Sequence, residues 1–308
     1  MQTFSANDGQ VQANMMRHGF SARVVRIAAI LAIGLTLGGC ETISNFDPMA
    51  IFQDKGPKSD IGDDQPAEVL FNDGLARLEK KQYEPAVKKF AELEKQYPYS
   101  NWSRKAMVLS TFASYEGGDY DDAAASGRRF VQLYPADSDA AYMQYLVGMS
   151  YYNQIPDITR DQERTEKALI ALDEVTRKWP KSEYANDARY RVQVARDQLA
   201  GKEMDIGRYY LKQRNYPGAV NRFREVLVRY QTTRHIEEAL MRLTEAYMAL
   251  GVVPEAQTAA AVLGHNFPES PWYKDAYKLL ETGGVGPRED NESWISKTLR
   301  GFTKTAAL

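Results

Sequence analysis

The chain has 308 residues, with 39 basic and 41 acidic side chains, three histidines and one cysteine. A single cysteine excludes an internal disulfide and a Cys/His zinc cluster. The near balance of charge leaves no footprint for nucleic acid.

Residues 24–39 are almost wholly apolar, with Arg17, Arg23 and Arg26 at their start. A basic leader, a short apolar core and small residues before a cut site mark a secretory signal peptide. The core is too short for a comfortable transmembrane span. It ends Leu37-Gly38-Gly39-Cys40, so the lone cysteine stands where a bacterial lipobox places the residue that takes a diacylglyceryl group. Residues 1–39 are therefore expected to be a lipoprotein signal peptide, starting at Met1, Met15 or Met16. Cys40 becomes a lipidated N-terminus, and no cofactor is expected beyond that covalent lipid. Glu41, not aspartate, follows the cysteine, which by lipoprotein sorting rules favours the outer membrane, facing the periplasm. Without residues 1–39 the chain keeps 36 basic and 40 acidic side chains, a net of −4. Residues 40–65 carry Pro48, Gly56, Pro57 and Gly62 among five aspartates. That composition buries too little apolar surface to order itself, and as a coil of about 25 residues it reaches roughly 25–30 Å.

Over residues 66–282 a five-fold frame appears. An alanine precedes a proline-like slot by twelve residues, an apolar residue precedes it by five, and an aromatic stands directly before it. The copies are Ala86, Leu93, Tyr97, Pro98; Ala123, Phe130, Tyr134, Pro135; Ala168, Val175, Trp179, Pro180; Ala219, Val226, Tyr230, Gln231; and Ala256, Leu263, Phe267, Pro268. Ala86, Phe90 and Leu93 fall on one helical face, and proline ends a helix. This is the pattern of the tetratricopeptide repeat (TPR), a helix pair that buries its apolar face only by stacking on others. The fold class expected is all-α, a right-handed TPR-like superhelical solenoid of about five helix pairs. Ser100, Asp137, Ser182, Thr233 and Ser270 stand two residues after the slots and are expected to cap the helices that follow. Turn signals at Lys81-Gln82, Gly117-Gly118-Asp119, Arg214-Asn215 and Gly251-Val252 separate the pairs.

Two departures stand out. Unit three carries an insertion over residues 150–165. Unit four has a long lead from Tyr184 to Leu199, followed by a separate helix expected over residues 203–212. Beyond Gly283-Gly284, residues 283–308 place Trp294, Ile295, Leu299 and Phe302 on roughly one side. That tail is either frayed or a short amphipathic helix that docks on a partner or a lipid surface.

Catalysis finds no support. Only His235 and His265 remain after the signal peptide, both near helix ends, and no G-x-S-x-G, H-E-x-x-H or P-loop pattern occurs. Asp119, Asp121 and Asp122 open a helix, where acidic residues are ordinary.

The insertion Tyr151-Tyr152-Asn153-Gln154-Ile155-Pro156-Asp157 with Arg160-Asp161-Gln162, and the segment Tyr209–Arg222, resemble the BamD (ComL) family of β-barrel assembly machinery lipoproteins. The resemblance covers roughly residues 37–282; Gln231 in a proline slot and the tail depart from it. It implies a non-enzymatic scaffold that binds the POTRA region of a BamA-like barrel protein and other BAM lipoproteins, and that receives unfolded outer-membrane proteins. Arg222, with Asn221, matches the stretch that contacts BamA. Trp102 matches an aromatic near the substrate groove, and Phe71, Phe112 and Tyr115 are further groove candidates. The alternatives are another periplasmic TPR adaptor of the Tol or division systems, which usually lacks a lipobox and this insertion, and a TPR-bearing peptidoglycan hydrolase, for which no catalytic stretch is long enough.

Overall fold

A computed structural model describes residues 65–305, with side chains to Arg300. Five antiparallel helix pairs follow one another: α1 (Ala67–Glu79) and α2 (Tyr83–Gln96), α3 (Asn101–Gly117) and α4 (Tyr120–Leu133), α5 (Ala140–Tyr152) and α6 (Glu163–Lys178), α7 (Ala185–Lys212) and α8 (Tyr216–Arg229), α9 (Ile236–Leu250) and α10 (Val253–Asn266). α11 (Pro271–Thr282) and α12 (Trp294–Thr305) complete the described residues, which hold no strand. Through the five pairs each helix packs mainly on its neighbours in sequence, so the fold is a TPR-like solenoid.

The frame residues are its core. All five alanines, and Leu93, Phe130, Val175, Val226 and Leu263, have no exposed surface. The small side chain lets the helices of a pair close, and the apolar residue seven positions on fills the same face. The aromatic before each slot ends its helix. The backbone N–H of Tyr97, Tyr134, Trp179, Tyr230 and Phe267 each donates to the carbonyl of the apolar frame residue four positions earlier. The turn signals expected to separate the pairs instead join the two helices within four of them, and each turn needs a left-handed residue. Gly118 and Gly251 supply it at φ 85° and 74°, but Lys81 and Arg214 adopt φ 56° and 58°, a conformation that costs an L-residue roughly 1–2 kcal/mol.

Only two of the five expected caps act as caps. α3 and α11 start three residues after their slots, where Ser100 accepts from the N–H of Ser103 and Ser270 from that of Trp272. α5, α7 and α9 start five residues after theirs. The extra turn carries the polar residue out of reach of the helix's free N–H groups. Asp137 accepts from the Asp139 N–H instead, Thr233 donates to the Tyr230 carbonyl, and the buried Ser182 hydroxyl has no partner among the described residues.

The long lead of unit four does not break. α7 is one helix of 28 residues, and the expected separate helix over 203–212 is its last stretch. A glycine at 201 costs only about 1 kcal/mol, and it is packed: a Cβ there would sit 3.5 Å from His235 Nε2. The unit-three insertion is also shorter than expected. α5 runs through Tyr152 and α6 starts at Glu163, leaving residues 153–162. These are tied to α7, where Gln198 Nε2 donates to the Pro156 carbonyl (2.9 Å) and Lys202 Nζ to that of Thr159 (3.0 Å).

The amphipathic tail helix is present as α12, but Trp294, Ile295 and Leu299 of its apolar side pack inward. Ile295 is fully buried and Leu299 is 5% exposed, both in the core that continues through α8, α9 and α10. Neither fraying nor docking on lipid through that face is compatible with this packing. Gln231, the odd residue in the proline slot, donates its side-chain N–H to the Thr298 carbonyl of α12 at 3.2 Å. Proline has no such donor, so the departure from the frame and the docked tail are one feature.

Candidate functional site

α8 presents the two residues expected to hold a partner. Asn215 caps the helix by accepting from the Gly218 N–H, and Pro217 occupies its first turn, where a missing N–H costs nothing. Ala219, Phe223 and Val226 turn inward, leaving Asn221 exposed and Arg222 half-exposed on the outer side. Arg222 Nη1 lies 3.2 Å from Glu203 Oε2 of α7. Both line a polar groove of about 660 Å³, with Tyr210, Asn221, Glu225 and Arg229. An exposed ion pair contributes at most about 1 kcal/mol, and a guanidinium carries five donors. Arg222 can therefore take a second carboxylate while keeping Glu203. Glu203 was not found from the sequence, because no local spacing links it to a residue nineteen positions away.

The four aromatic candidates fall into two pairs rather than one groove. Phe71 of α1 and Trp102 of α3 have ring centroids 4.9 Å apart, with Lys105 Nζ 5.4 Å from the indole. Phe71 is 9% exposed and packs on Phe90 inside the first pair, so Trp102 supplies most of the accessible surface there. Phe112 and Tyr115 belong to the next cluster, against Met107, Phe130 and Met143. The Tyr115 hydroxyl accepts from Asn153 of the insertion at 3.0 Å.

Beside Tyr115 the structure adds residues that sequence reading missed. The rings of Tyr142 and Tyr145 of α5 each lie 5.2 Å from that of Tyr184, tilted for Tyr142 and stacked for Tyr145. The Tyr145 hydroxyl donates to Asp187 Oδ2 at 2.5 Å, and Arg191 donates to the same oxygen. Burial, and then the neighbouring carboxylate, push the Tyr145 hydroxyl up to about 12. Burial opposes ionisation of Asp187, but the bonds from Tyr145 and Arg191 outweigh it and carry its carboxyl below the usual range. Tyr142-x-x-Tyr145 at helical spacing was the available signal. These tyrosines join apolar rings to polar tips on a face that also carries Tyr115.

No group of His, Cys, Asp or Glu among the described residues is arranged to hold a metal, and no described helix is long and apolar enough to cross a membrane. The expected signal peptide, Cys40 and nearly all of the expected tether lie outside the described residues.

A family model described as outer membrane lipoprotein, YfiO, matches residues 63–263, which take in all five helix pairs up to Leu263 of α10. The chain belongs to the YfiO family. One curated relative, outer membrane protein assembly factor BamD of Caulobacter vibrioides, is 42% identical over 85% of this chain and 82% of its own. Another of that name, from Rickettsia prowazekii, is 39% identical over 83% of this chain and 96% of its own. Among solved structures, the TPR2AB domain of yeast Sti1 in its pHSP90 complex covers 77% of this chain and 96% of that one, at 15% identity and a TM-score of 0.35. The YfiO match thus spans the groove at Arg222, both aromatic pairs and the insertion.

Proposed function

We infer that this YfiO-family chain is an outer-membrane protein assembly factor that works by binding, as a scaffold without a catalytic step. The observation that carries this reading is the family match across the helix pairs that hold the polar groove and the aromatic face. The Arg222 groove suits a partner carboxylate, and we assign it to the periplasmic POTRA region of a BamA-like barrel protein. The outlying aromatics Trp102, Phe112 and Tyr115 suit extended apolar segments, and we assign them to unfolded outer-membrane proteins. Cys40 carries the acyl anchor, which holds the solenoid on the periplasmic side of the outer membrane. Other BAM lipoproteins complete the assembly.

The test is affinity purification of the tagged protein from mild detergent. A large β-barrel protein with POTRA domains is expected to co-purify, and its absence overturns the reading. Arg222→Glu sets a carboxylate against Glu203 and the partner, so recovery of the barrel protein should fall by roughly tenfold with the melting temperature nearly unchanged. Retained recovery removes Arg222 from the interface. A Cys40→Ser protein should leave the membrane fraction.

A further inference from the structure

The second helices of successive pairs flank grooves floored by the first helix between them. One groove is filled: α12 lies between α8 and α10, over α9. Its grip is defined by three residues. The Arg224 guanidinium lies 5.0 Å from the Trp294 ring, the Tyr247 hydroxyl accepts from Trp294 Nε1 at 3.1 Å, and Glu255 accepts from the Ser293 hydroxyl at 2.6 Å.

The groove between α4 and α6, over α5, repeats that grip. Arg224 precedes its slot residue, Gln231, by seven positions, and Tyr247 follows it by sixteen; Arg128 and Tyr151 stand at the same steps around Pro135. The Arg128 guanidinium donates to the Tyr151 hydroxyl and lies 5.8 Å from its ring. The other two grooves do not repeat it. At these steps they carry Ala91 and Ser114, or Asp173 and Arg196. The α4/α6 groove encloses about 460 Å³ over Val131, Val147 and Ala171. Ile170 stands in it 64% exposed, a branched apolar side chain left in water. One feature is inverted. Glu255 comes just before the frame alanine of α10, and at that place α6 has Lys167.

We propose that the α4/α6 groove docks an amphipathic helix of a partner protein, held by Arg128 and Tyr151 through an aromatic residue in the helix's first turn and by Lys167 through a carboxylate just before it. The chain's own α12 serves as the template for the ligand. The changes the groove asks for are an acidic residue where α12 has Ser293, and a supply from another molecule. The indole would sit over the Arg128 guanidinium as Trp294 sits over Arg224. The apolar residues one and five positions later would cover Ile170 and Val131, as Ile295 and Leu299 complete the core at the other groove. The carboxylate also suits the start of a helix. This site is separate from Arg222 and from the aromatic face, and it stands if either of those assignments fails.

The probe is a labelled peptide of residues 289–305 in two forms, Ser293→Glu and Ser293→Lys, titrated by fluorescence anisotropy into the full-length protein in mild detergent. The tethered α12 outcompetes free peptide for its own groove because linkage gives it a millimolar effective concentration. The Ser293→Glu peptide should bind saturably and at least roughly tenfold tighter than the Ser293→Lys peptide. Ile170→Asp, at an exposed position, should abolish binding while the melting curve holds. Lys167→Glu should reverse the preference between the two peptides. Absence of saturable binding, or a preference that Lys167→Glu leaves unchanged, overturns the proposal. So does self-association of the free protein that Ile170→Asp dissolves in sedimentation, since that assigns the groove to a second copy.

Discussion

The two ends of the solenoid use the same frame and build different cores. At the first pair, Leu70, Phe71, Ala86, Phe90, Leu93 and Ala106 form a small cluster of their own. From Leu199 to Leu299 one continuous core joins pairs four and five to α11 and α12. In stacked repeats each unit answers mainly to its neighbours, so the cluster with one neighbour opens at lower free energy than the one closed on both sides. The repeat sets how a pair packs, and what is added beyond the repeat decides how far a disturbance spreads.

Phe90 and Phe223 make the sharpest test, because they occupy the same frame step and are both fully buried. Each lies against a glycine, where a Cβ would come within 2.5 Å of Phe90 at Gly74 and 2.4 Å of Phe223 at Gly207. Either change to alanine should cost about 3–5 kcal/mol. By hydrogen exchange, Phe90→Ala should expose the amides of α1 and α2 while α9 and α10 stay protected, and Phe223→Ala should open α7 through α10 together. Equal spread from both sites would erase the contrast. Trp294→Ala comes next, at about 2–4 kcal/mol for the lost indole contacts with Arg224 and Tyr247. In a thermal melt it should bring the C-terminal end down toward the N-terminal one. Lys81→Gly relieves a left-handed residue and should stabilise the first pair by roughly 0.5–1 kcal/mol after the entropy of glycine is counted, narrowing the gap from the other side in denaturant titration.

The smallest effect concerns pH, and it should touch one end only. His235 packs on α7 at Gly201, 3.7 Å from Asp197. Burial lowers its folded pKa below 6.5, with Asp197 opposing and Arg234 assisting. The neutral form is thus favoured in the fold. Its contribution is complete above the unfolded value near 6.5 and is lost as pH falls through the lowered folded value. Melting the protein between pH 7.5 and 5.5 should show the C-terminal core weakening, and His235→Gln should flatten that slope. An unchanged slope would leave both ends equal in this respect.

The frame was legible because each copy carries its own helical spacing. The alanine, the apolar residue and the terminal aromatic are named by positions within one pair, and all kept their expected places. What sequence reading lost depends on residues that lie far apart along the chain. Gln231 meets Thr298 across 67 positions and Tyr145 meets Asp187 across 42. Neither pairing leaves a local mark, so the docked tail and the tyrosine face emerged only with the fold. Arg222 was named from resemblance and found at the surface, but its ion pair with Glu203 was invisible. The caps failed for a different reason. Ser182 and Thr233 stand at the right offset from the slot, and one extra turn moves the helix start beyond them.

At 1.5 Å per residue the 28 residues of α7 run about 42 Å. Near its start Asp187 takes the Tyr145 hydroxyl of pair three, at its middle Gln198 holds the insertion, and near its end Arg208 reaches Glu238 of pair five at 3.0 Å. A stack of separate plates bends a little at every joint. Here a single rod is riveted across three consecutive pairs, so curvature that elsewhere could be shared among the joints is splinted. The surfaces on either side of α7, the tyrosine face and the Arg222 groove, are held at a fixed spacing.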